Sequence, residues 1–432
     1  MGPEAGDHET GVVDRLALPL AVGGVVVVLG ALSIFAGHPI ADEAGHHLPA
    51  IRQFYEGDWS RPEHLPMLPA YHAFAAVAAT HFGANLIVLR GLSTAMMIGA
   101  ILFYRAALRQ RAVDDRGHAL LHFAWLPLLL PFAVLVYTES ASMLCLTAAL
   151  YLHSRRRLEL SGLALLLACL IRQSNVVWVV VLAALAMIEC GEGTSALGAP
   201  DVAHGPRHPR RRVAARLWGH AVVAILAGIW FLADPAGARA VEANRPRFNP
   251  AQFYLFALAV ILLWAPVWIG RLGGELRALR TWSKRTPARS VGAILLGIAA
   301  TALLAVLFQN PHPWNENPRY FRNLPLMAMA QSWPARLTVS GLIVAAAPIV
   351  VRFTLAQPTR RMLGLVWLFT LLFLVPHSLA EPRYYVVPVV LLNLLTRFTA
   401  SQARAMTLWC AATTVAVVVV VVLSGDPSGG VL

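Results

Sequence analysis

Thirteen apolar runs with few charged residues constrain the fold of this chain more than any other feature. Hydrophobic residues make up 58% of the sequence and charged residues only 13%, whereas a soluble domain carries roughly 25% charged residues. So much apolar surface needs the bilayer as a second solvent. The pattern predicts a polytopic membrane protein and excludes a soluble enzyme, a disordered chain and a disulfide-stapled secreted domain. The runs fall near residues 16–37, 84–104, 118–136, 140–153, 158–171, 174–190, 216–233, 250–270, 289–308, 334–352, 361–376, 382–397 and 405–424.

These runs predict an all-α fold. We expect about 11–13 transmembrane helices from the thirteen runs, because several runs are shorter than the ~20 residues that a perpendicular helix needs. We expect residues 1–432 to form a single integral membrane domain. The segment 38–83 is too polar at its start to be a span, and its second half is only moderately apolar. It is expected to form a large first outer loop that contains re-entrant or interfacial helices.

Basic residues indicate the orientation of the chain. There are 35 Lys and Arg against 22 Asp and Glu, which gives a net charge of +13. The basic residues concentrate in alternate connections between the apolar runs, which is the positive-inside signal rather than a nucleic-acid surface. We expect a cytoplasmic N-terminus, cytoplasmic basic loops at 191–215 and 271–289, and no nucleic-acid partner.

The opposite, outer face collects acids, arginines, amides and aromatic residues. Asp42 and Glu43 follow the first apolar run, and a carboxylate near a membrane can act as a general base toward a hydroxyl group. The alternative is a solvated pair of loop acids. His46 and His47 come next, but the histidines of this segment lack the spacing of a metal site. Neither a metal ion nor a cofactor is predicted.

Arginines on the outer face point to a phosphate. Arg172 interrupts the apolar stretch 167–181, so it either pairs with an outer carboxylate such as Glu139 or binds a phosphate group. Two more outer segments, 310–323 and 377–385, combine arginine with carboxylate, amide and aromatic side chains. Such a set suits an anionic lipid headgroup and a sugar. We therefore predict an enzyme that moves a polar group from a lipid phosphate to an acceptor.

Five motifs on the predicted outer face resemble those of a known class of enzymes. They are Asp42-Glu43 with His46, Tyr137-Thr138 with Ser140, the run RQSNVVW at 172–178, His312-Pro313 through Asn317 with Arg319-Tyr320, and Glu381 with Arg383-Tyr384. In this order they resemble the C-type (GT-C) membrane glycosyltransferases over nearly the whole chain. Within that class they are most similar to the endoplasmic-reticulum alpha-1,2-glucosyltransferases that add the terminal glucose to the dolichol-linked oligosaccharide. The composition, with Lys284 as the only lysine, indicates a bacterial relative.

The resemblance implies a GT-C fold and an inverting transfer of a hexose, with glucose as first choice. The donor would be a polyprenyl-phosphate sugar, and the acceptor a hydroxyl of a glycan or glycolipid on the non-cytoplasmic face of a bacterial plasma membrane, among its lipids. Asp42 would be the catalytic base, with Glu43 as second choice. The donor phosphate would be bound by Arg172, Arg319 and Arg383. The sugar and the acceptor would contact His46, Glu139, Asn175, Trp314, Asn317, Tyr320, Glu381 and Tyr384.

Two alternatives stay open. The same fold could transfer mannose or arabinose, and the sequence does not distinguish these sugars. A flippase or transporter of lipid-linked sugars belongs to a different class of protein, and it would place polar residues near the bilayer midplane and use paired broken helices. Because the polar groups of this chain crowd one face, the sequence favours the enzyme.

Overall fold

The computed structural model describes residues 4–35, 37–39, 42–62, 65, 67–110, 115–192, 209–233, 247–312, 315, 324–377 and 379–423. Over these residues the protein consists of helices and their connections, without a β-strand. The predicted all-α polytopic class is confirmed.

Nine α-helices form the first part of the chain. A short π-helical turn, Glu43–His47, precedes the second of them. At the start of the fourth helix the side chain of Asn85 accepts a hydrogen bond from the backbone N–H of Val88 at 2.9 Å, which satisfies one of the donors that a helix end leaves open. The helices are α1 Glu4–Phe35, α2 Leu48–Tyr55, α3 Ala70–Phe82, α4 Leu86–Arg109, α5 Arg116–Ala124, α6 Leu130–Val134, α7 Thr138–Ser154, α8 Leu158–Ile171 and α9 Val176–Glu192.

The second part of the chain adds ten helices. A 3₁₀ turn, Pro382–Tyr385, leads directly into the ninth of these. The helices are α10 Pro209–Arg216, α11 Trp218–Ala233, α12 Pro250–Leu263, α13 Ala265–Arg285, α14 Pro287–Leu307, α15 Leu324–Gln331, α16 Trp333–Leu355, α17 Arg360–Leu374, α18 Val386–Leu395 and α19 Ala400–Leu423.

Among the described residues, six helices are long and apolar enough to cross a membrane, and the bent pair α12 and α13 adds a seventh if it counts as one span. This is fewer than the about 11–13 transmembrane helices that the thirteen apolar runs predicted. The difference arises because some apolar runs form shorter helices, at Leu158–Ile171, Trp218–Ile229 and Pro382–Leu395. The six helical segments are Val12–Ile34, Leu86–Arg109, Gln173–Cys190, Pro287–Leu307, Trp333–Leu355 and Ala400–Val419.

The apolar run 118–136 is broken into two helices. Helix α5 ends at Ala124, just before Pro127, and the short α6 ends before Leu135, whose backbone is extended. Proline supplies no N–H and clashes with the preceding turn, so a continuous helix cannot form here. The extended segment that follows α6 leaves the backbone N–H of Val136 available to a side chain of the first outer segment.

The segment 38–83 contains the π-helical turn and the helices α2 and α3, which pack on each other. Phe54, Tyr71 and Ala75 are buried between them and join Leu89 of α4 in one apolar cluster. This packing fixes the first outer segment against the bundle. The position of this segment relative to a bilayer stays a prediction. The cytoplasmic location of segments 191–215 and 271–289 also stays a prediction. Most of the second of these belongs to the helix Ala265–Arg285.

The centre of the bundle is formed by α4, α7 and α8, which lie side by side. Helix α9 follows α8 after a single 3₁₀ turn and buries Trp178 against Phe373 of α17, with ring centroids 5.6 Å apart. The beginnings of α7 and α9, the end of α8 and the start of α18 are thereby brought to one end of the molecule.

Candidate active site

Asp42 lies directly before the π-helical turn, as its N-terminal flanking residue. Its side chain is 21% exposed, and its Oδ2 atom lies 3.5 Å from Nη1 of Arg383. Of the two acids that follow the first apolar run, Asp42 is therefore the one that reaches a predicted phosphate-binding arginine and keeps access to solvent.

Arg383 lies on the 3₁₀ turn that leads into α18. Its Nε–H donates a hydrogen bond to Oε2 of Glu381, two residues earlier, and its Nη1 faces Asp42. Only 15% of the arginine side chain and 2% of the Glu381 side chain are exposed. The guanidinium is thus held between two carboxylates in a largely desolvated position.

A second ion pair joins the start of α7 to the end of α8. Nη1 of Arg172, the residue after α8, donates to Oε1 of Glu139 in the first turn of α7. An acid in the first turn of a helix is stabilised by the positive end of the helix dipole. The pairing with Glu139 is one of the two roles that the sequence left open for Arg172.

Both ion pairs border one small open cavity, with about 350 Å³ of empty space including its mouth. Trp178 and Phe373 supply an apolar wall. The cavity brings predicted donor-binding and sugar-binding residues together from three separate segments: the start of α7, the connection between α8 and α9, and the 3₁₀ turn before α18. Those that line it are Glu139, Arg172, Asn175, Arg383 and Tyr384.

Two of these lining residues are fixed by further contacts. The side-chain amide of Asn175 donates to Oγ of Ser142 at 2.9 Å and to the carbonyl of Ala168 at 2.8 Å. The ring of Tyr384 lies 4.7 Å from that of His377. Asn175 therefore positions the turn between α8 and α9, whereas Tyr384 forms part of an aromatic wall.

The remaining predicted residues fall into two groups. His46 is partly buried on the π-helical turn next to Asp42. The others lie outside the described residues, so their placement stays a prediction: Trp314, Asn317, Arg319 and Tyr320.

Glu43 is engaged elsewhere. It is completely buried and accepts two hydrogen bonds from Arg90 of α4, at 3.2 and 2.7 Å, and a third from the backbone N–H of Val136 at 2.7 Å. Nη2 of Arg90 also donates to the carbonyl of His38. The pair thus ties the outer segment to α4 and to the approach to α7, and it holds Glu43 away from the cavity.

Arg90 was not among the residues predicted from the sequence, although a signal for it was present. Arg90 is a single arginine within the apolar run 84–104, the same feature that singled out Arg172. An arginine in such a run is costly unless it is paired. Its partner was not evident because Glu43 lies 47 positions away along the chain.

A buried group of rings packs beside Asp42. Nδ1 of His47 and Nε2 of His72 are 2.8 Å apart, and the ring of Tyr137 lies 4.9 Å from that of His47. Burial is the main cause that lowers the pKa of His47 well below 6.5, and His72, Arg383, His46 and Arg172 lower it further. His47 is therefore neutral at pH 7.

Tyr137 carries a hydroxyl group that has no hydrogen-bond partner among the described residues, although its side chain is 1% exposed. Burial is the larger cause that raises the pKa of Tyr137 well above 10, and Asp42 is the next. The hydroxyl therefore stays protonated near the carboxylate of Asp42.

The two predicted arginine-rich outer segments meet each other. Oδ1 of Asn315 accepts a hydrogen bond from the backbone N–H of Ala380 at 3.0 Å. Gln252, in the first turn of α12, donates to the carbonyl of Leu379 and accepts from the hydroxyl of Tyr385 at 2.7 Å. These contacts fix the turn that carries Arg383.

The described residues contain no group of three or more His, Cys, Asp or Glu that could hold a metal ion. The charged groups that line or adjoin the cavity are carboxylates and guanidinium groups. A guanidinium has five N–H donors, and the contacts above use one on Arg172 and two on Arg383. An incoming phosphate could therefore bind both arginines and displace carboxylates from them.

Asp42, Glu139, Arg172 and Arg383 thus lie at or next to one cavity. Residues 37–200 match the model of the DIE2/ALG10 family. The match confirms the resemblance that the motifs carry. DIE2/ALG10 proteins are glycosyltransferases, and this integral membrane protein is similar to them over the matched residues.

The DIE2/ALG10 match includes Asp42, Glu139 and Arg172, whereas Glu381 and Arg383 lie beyond it. The structure joins the two parts, since Asp42 within the matched segment contacts Arg383 outside it. No curated protein matches the chain at a significant level.

Proposed function

We propose that the protein is an inverting glycosyltransferase. It moves a hexose, glucose by analogy with DIE2/ALG10 proteins, from a polyprenyl-phosphate donor to a hydroxyl of a glycan or glycolipid on the non-cytoplasmic face. The observation that carries the proposal is the contact of Asp42 with Arg383, beside a cavity that Arg172 also lines. A candidate base and two candidate phosphate ligands thus lie at one site.

Asp42 is the proposed base. It takes the proton of the acceptor hydroxyl while the acceptor oxygen forms a bond to the anomeric carbon of the donor sugar. Glu43 is a weaker candidate because it is fully buried and accepts three hydrogen bonds. A carboxylate held in this way is not free to approach an acceptor.

Arg172 and Arg383 are the proposed ligands of the donor phosphate. As the bond between the anomeric carbon and the phosphate oxygen breaks, its electron pair leaves with the polyprenyl phosphate. Positioned guanidinium groups stabilise that growing negative charge more in the transition state than in the ground state. Binding of the phosphate to Arg383 would also weaken its contact with Asp42, which frees the carboxylate to accept a hydrogen bond from the acceptor hydroxyl.

A second cavity offers a place for the polyprenyl chain. It has about 1200 Å³ of empty space including its mouth, and it is lined mainly by apolar residues of α12, α16 and α17. Phe256 lines it and also packs on Tyr385, with ring centroids 5.3 Å apart. Since Tyr385 is two residues from Arg383, a lipid in this cavity could carry its phosphate toward the arginines.

The test is a donor-competition assay with the purified full chain in detergent. Polyprenyl-phosphate glucose, mannose and arabinose are supplied in parallel, and mass spectrometry follows the released polyprenyl phosphate and any new glycosidic product. Loss of the sugar from the glucose donor supports the proposal. Preference for mannose or arabinose would keep the reaction and change the sugar.

The flippase alternative gives a different result, because a flippase makes and breaks no glycosidic bond. If all three donors stay intact while the protein moves a fluorescent lipid-linked sugar across vesicle membranes, the proposal of an enzyme is overturned. If the donors are cleaved instead, mass spectrometry of the lipid-linked sugar pool in a deletion strain identifies the acceptor, as the species that accumulates one sugar short.

A further inference from the structure

Helix α13 departs sharply from the helix before it. The axes of α12 and α13 differ by 79°, and the break falls at Trp264. Pro266 stands at the start of α13, and its missing N–H prevents a continuous helix. If α12 crosses the bilayer, α13 runs close to the membrane plane. Its 21 residues then extend along the surface for about 30 Å.

The helix has two distinct faces. At 100° per residue, most of its large apolar residues fall on one side and its basic residues on the other, although the buried Val267 lies toward the basic side and Glu275 lies within the apolar side. The apolar side comprises Ala265, Trp268, Ile269, Leu272, Leu276, Leu279 and Trp282, and the basic side comprises Arg271, Arg277, Arg280, Lys284 and Arg285.

From Ile269 onward most of the apolar side is left uncovered by the described residues, whereas Ala265 is buried and Trp268 packs on the core. Ile269 is 54% exposed, Leu276 55%, Leu279 53% and Trp282 37%, and every residue from Leu276 to Arg285 is classed as exposed. So large an apolar stripe opposite a basic one is typical of a helix that lies in a membrane interface.

Helix α13 lies at the end of the bundle opposite the candidate active site. Glu275 forms an ion pair of 2.6 Å with Arg352, and the guanidinium of Arg271 lies 4.7 Å from the ring centroid of Phe353. Arg352 and Phe353 are at the C-terminal end of α16. The following helix, α17, starts there and returns to the end that carries Arg383. The basic helix therefore faces the leaflet opposite the one at the candidate site.

We propose that α13 is a binding surface for anionic phospholipids. Its apolar side inserts among the acyl chains, and its basic side contacts the phosphate groups of the surrounding lipids. Charge complementarity argues for acidic lipids rather than zwitterionic ones, because the helix carries five basic residues and only Glu275 as an acid, which Arg352 already pairs. Basic residues at an interface attract acidic headgroups through their negative surface potential.

The first experiment measures lipid preference with the full chain in nanodiscs of mixed phosphatidylcholine and phosphatidylglycerol. Native mass spectrometry reports which lipids stay bound. We expect phosphatidylglycerol to be enriched, and the triple variant R277Q/R280Q/K284Q to lose most of that enrichment. The matched control, R109Q/R155Q/R157Q, removes the same charge from other exposed bases and should keep most of it. Equal losses in both variants, or no enrichment in the unmodified chain, would overturn the proposal.

The second experiment tests the orientation of the helix in permeable vesicles of the same lipids. A hydrophilic maleimide is reacted with L279C and with R280C, and the labelling of the unmodified chain is subtracted. We expect R280C to react several-fold faster than L279C, because the proposal places position 279 among the acyl chains. Equal, rapid labelling of both positions would mean that the helix stands in water and would point to a protein partner instead. Since both positions are exposed, thermal unfolding should be unchanged and serves as a fold check.

Discussion

Oδ2 of Asp42 lies 3.5 Å from Nη1 of Arg383, although 341 positions separate the two residues in the chain. The contact joins the first outer segment to the turn before α18. It also unites an acid inside the DIE2/ALG10 match with an arginine outside it.

Asp42→Asn should lower turnover by about 10²- to 10⁴-fold, the range for loss of a general base, while the KM for the donor changes little. The measurement is the initial rate of glycosidic bond formation or donor cleavage. Asp58→Asn is the matched control, because Asp58 lies in the same outer segment but is exposed and bonds only to Gln53 and Ser60 among the described residues. Unchanged turnover in Asp42→Asn would remove Asp42 from the mechanism.

Arg172→Gln and Arg383→Gln should each lower kcat by about 10²- to 10³-fold, by analogy with the loss of one donor to a developing anion. The KM for the donor should rise in both. The measurement is a full rate-against-donor curve. Arg216→Gln is a suitable control, since Arg216 pairs with Glu159 away from the cavity. A variant that keeps full kcat would show that its arginine serves the fold alone.

Arg90→Met should destabilise the protein by about 3–5 kcal/mol, because Glu43 would be left as a buried charge without its partner. The double variant Arg90→Met/Glu43→Gln should recover much of that loss, since a neutral amide can still accept from the N–H of Val136. Unfolding in detergent measures both. The double variant also separates the two acids, because turnover close to the unmodified rate is expected only if Glu43 is not the base.

Tyr137→Phe should leave stability unchanged or raise it by up to about 1 kcal/mol, because the buried hydroxyl has no partner in the described structure. Tyr71→Phe is the contrast, since the hydroxyl of Tyr71 lies 3.1 Å from Oγ of Ser93 and its loss should cost about 1 kcal/mol. Thermal unfolding of the two variants measures the difference. A clear loss of stability in Tyr137→Phe would mean that the hydroxyl is bonded in the protein.

Acid should destabilise the protein through His47. Its pKa in the folded state is well below 6.5 because of burial, so below pH 6.5 the unfolded chain binds a proton that the folded chain does not. The free energy of unfolding then falls by up to about 1.4 kcal/mol per pH unit for this one group. Unfolding from pH 7 to pH 5 measures the slope, and His47→Asn should make it shallower. The same slope in the variant would assign the acid sensitivity to other residues.

Much of the candidate site was evident from single residues in unusual surroundings. An arginine inside an apolar run must pair or face a polar cavity, and Arg172 does both, with Glu139 as its partner. The same rule applies to Arg90. Arg90 was nevertheless not predicted as a paired residue, because no local motif surrounds it.

By itself the sequence determined the all-α membrane class, since apolar runs of this length need a lipid environment whatever their arrangement. It also determined the local pairs, such as Glu381 with Arg383, because two residues on one turn are always near each other. The tertiary structure alone decided which of Asp42 and Glu43 reaches the cavity. The two side chains differ in partner because the break of the run 118–136 offers the N–H of Val136 to Glu43, while packing of distant helices sets Arg383 beside Asp42. Such contacts depend on how the helices are arranged in space, which the order of residues along the chain does not state.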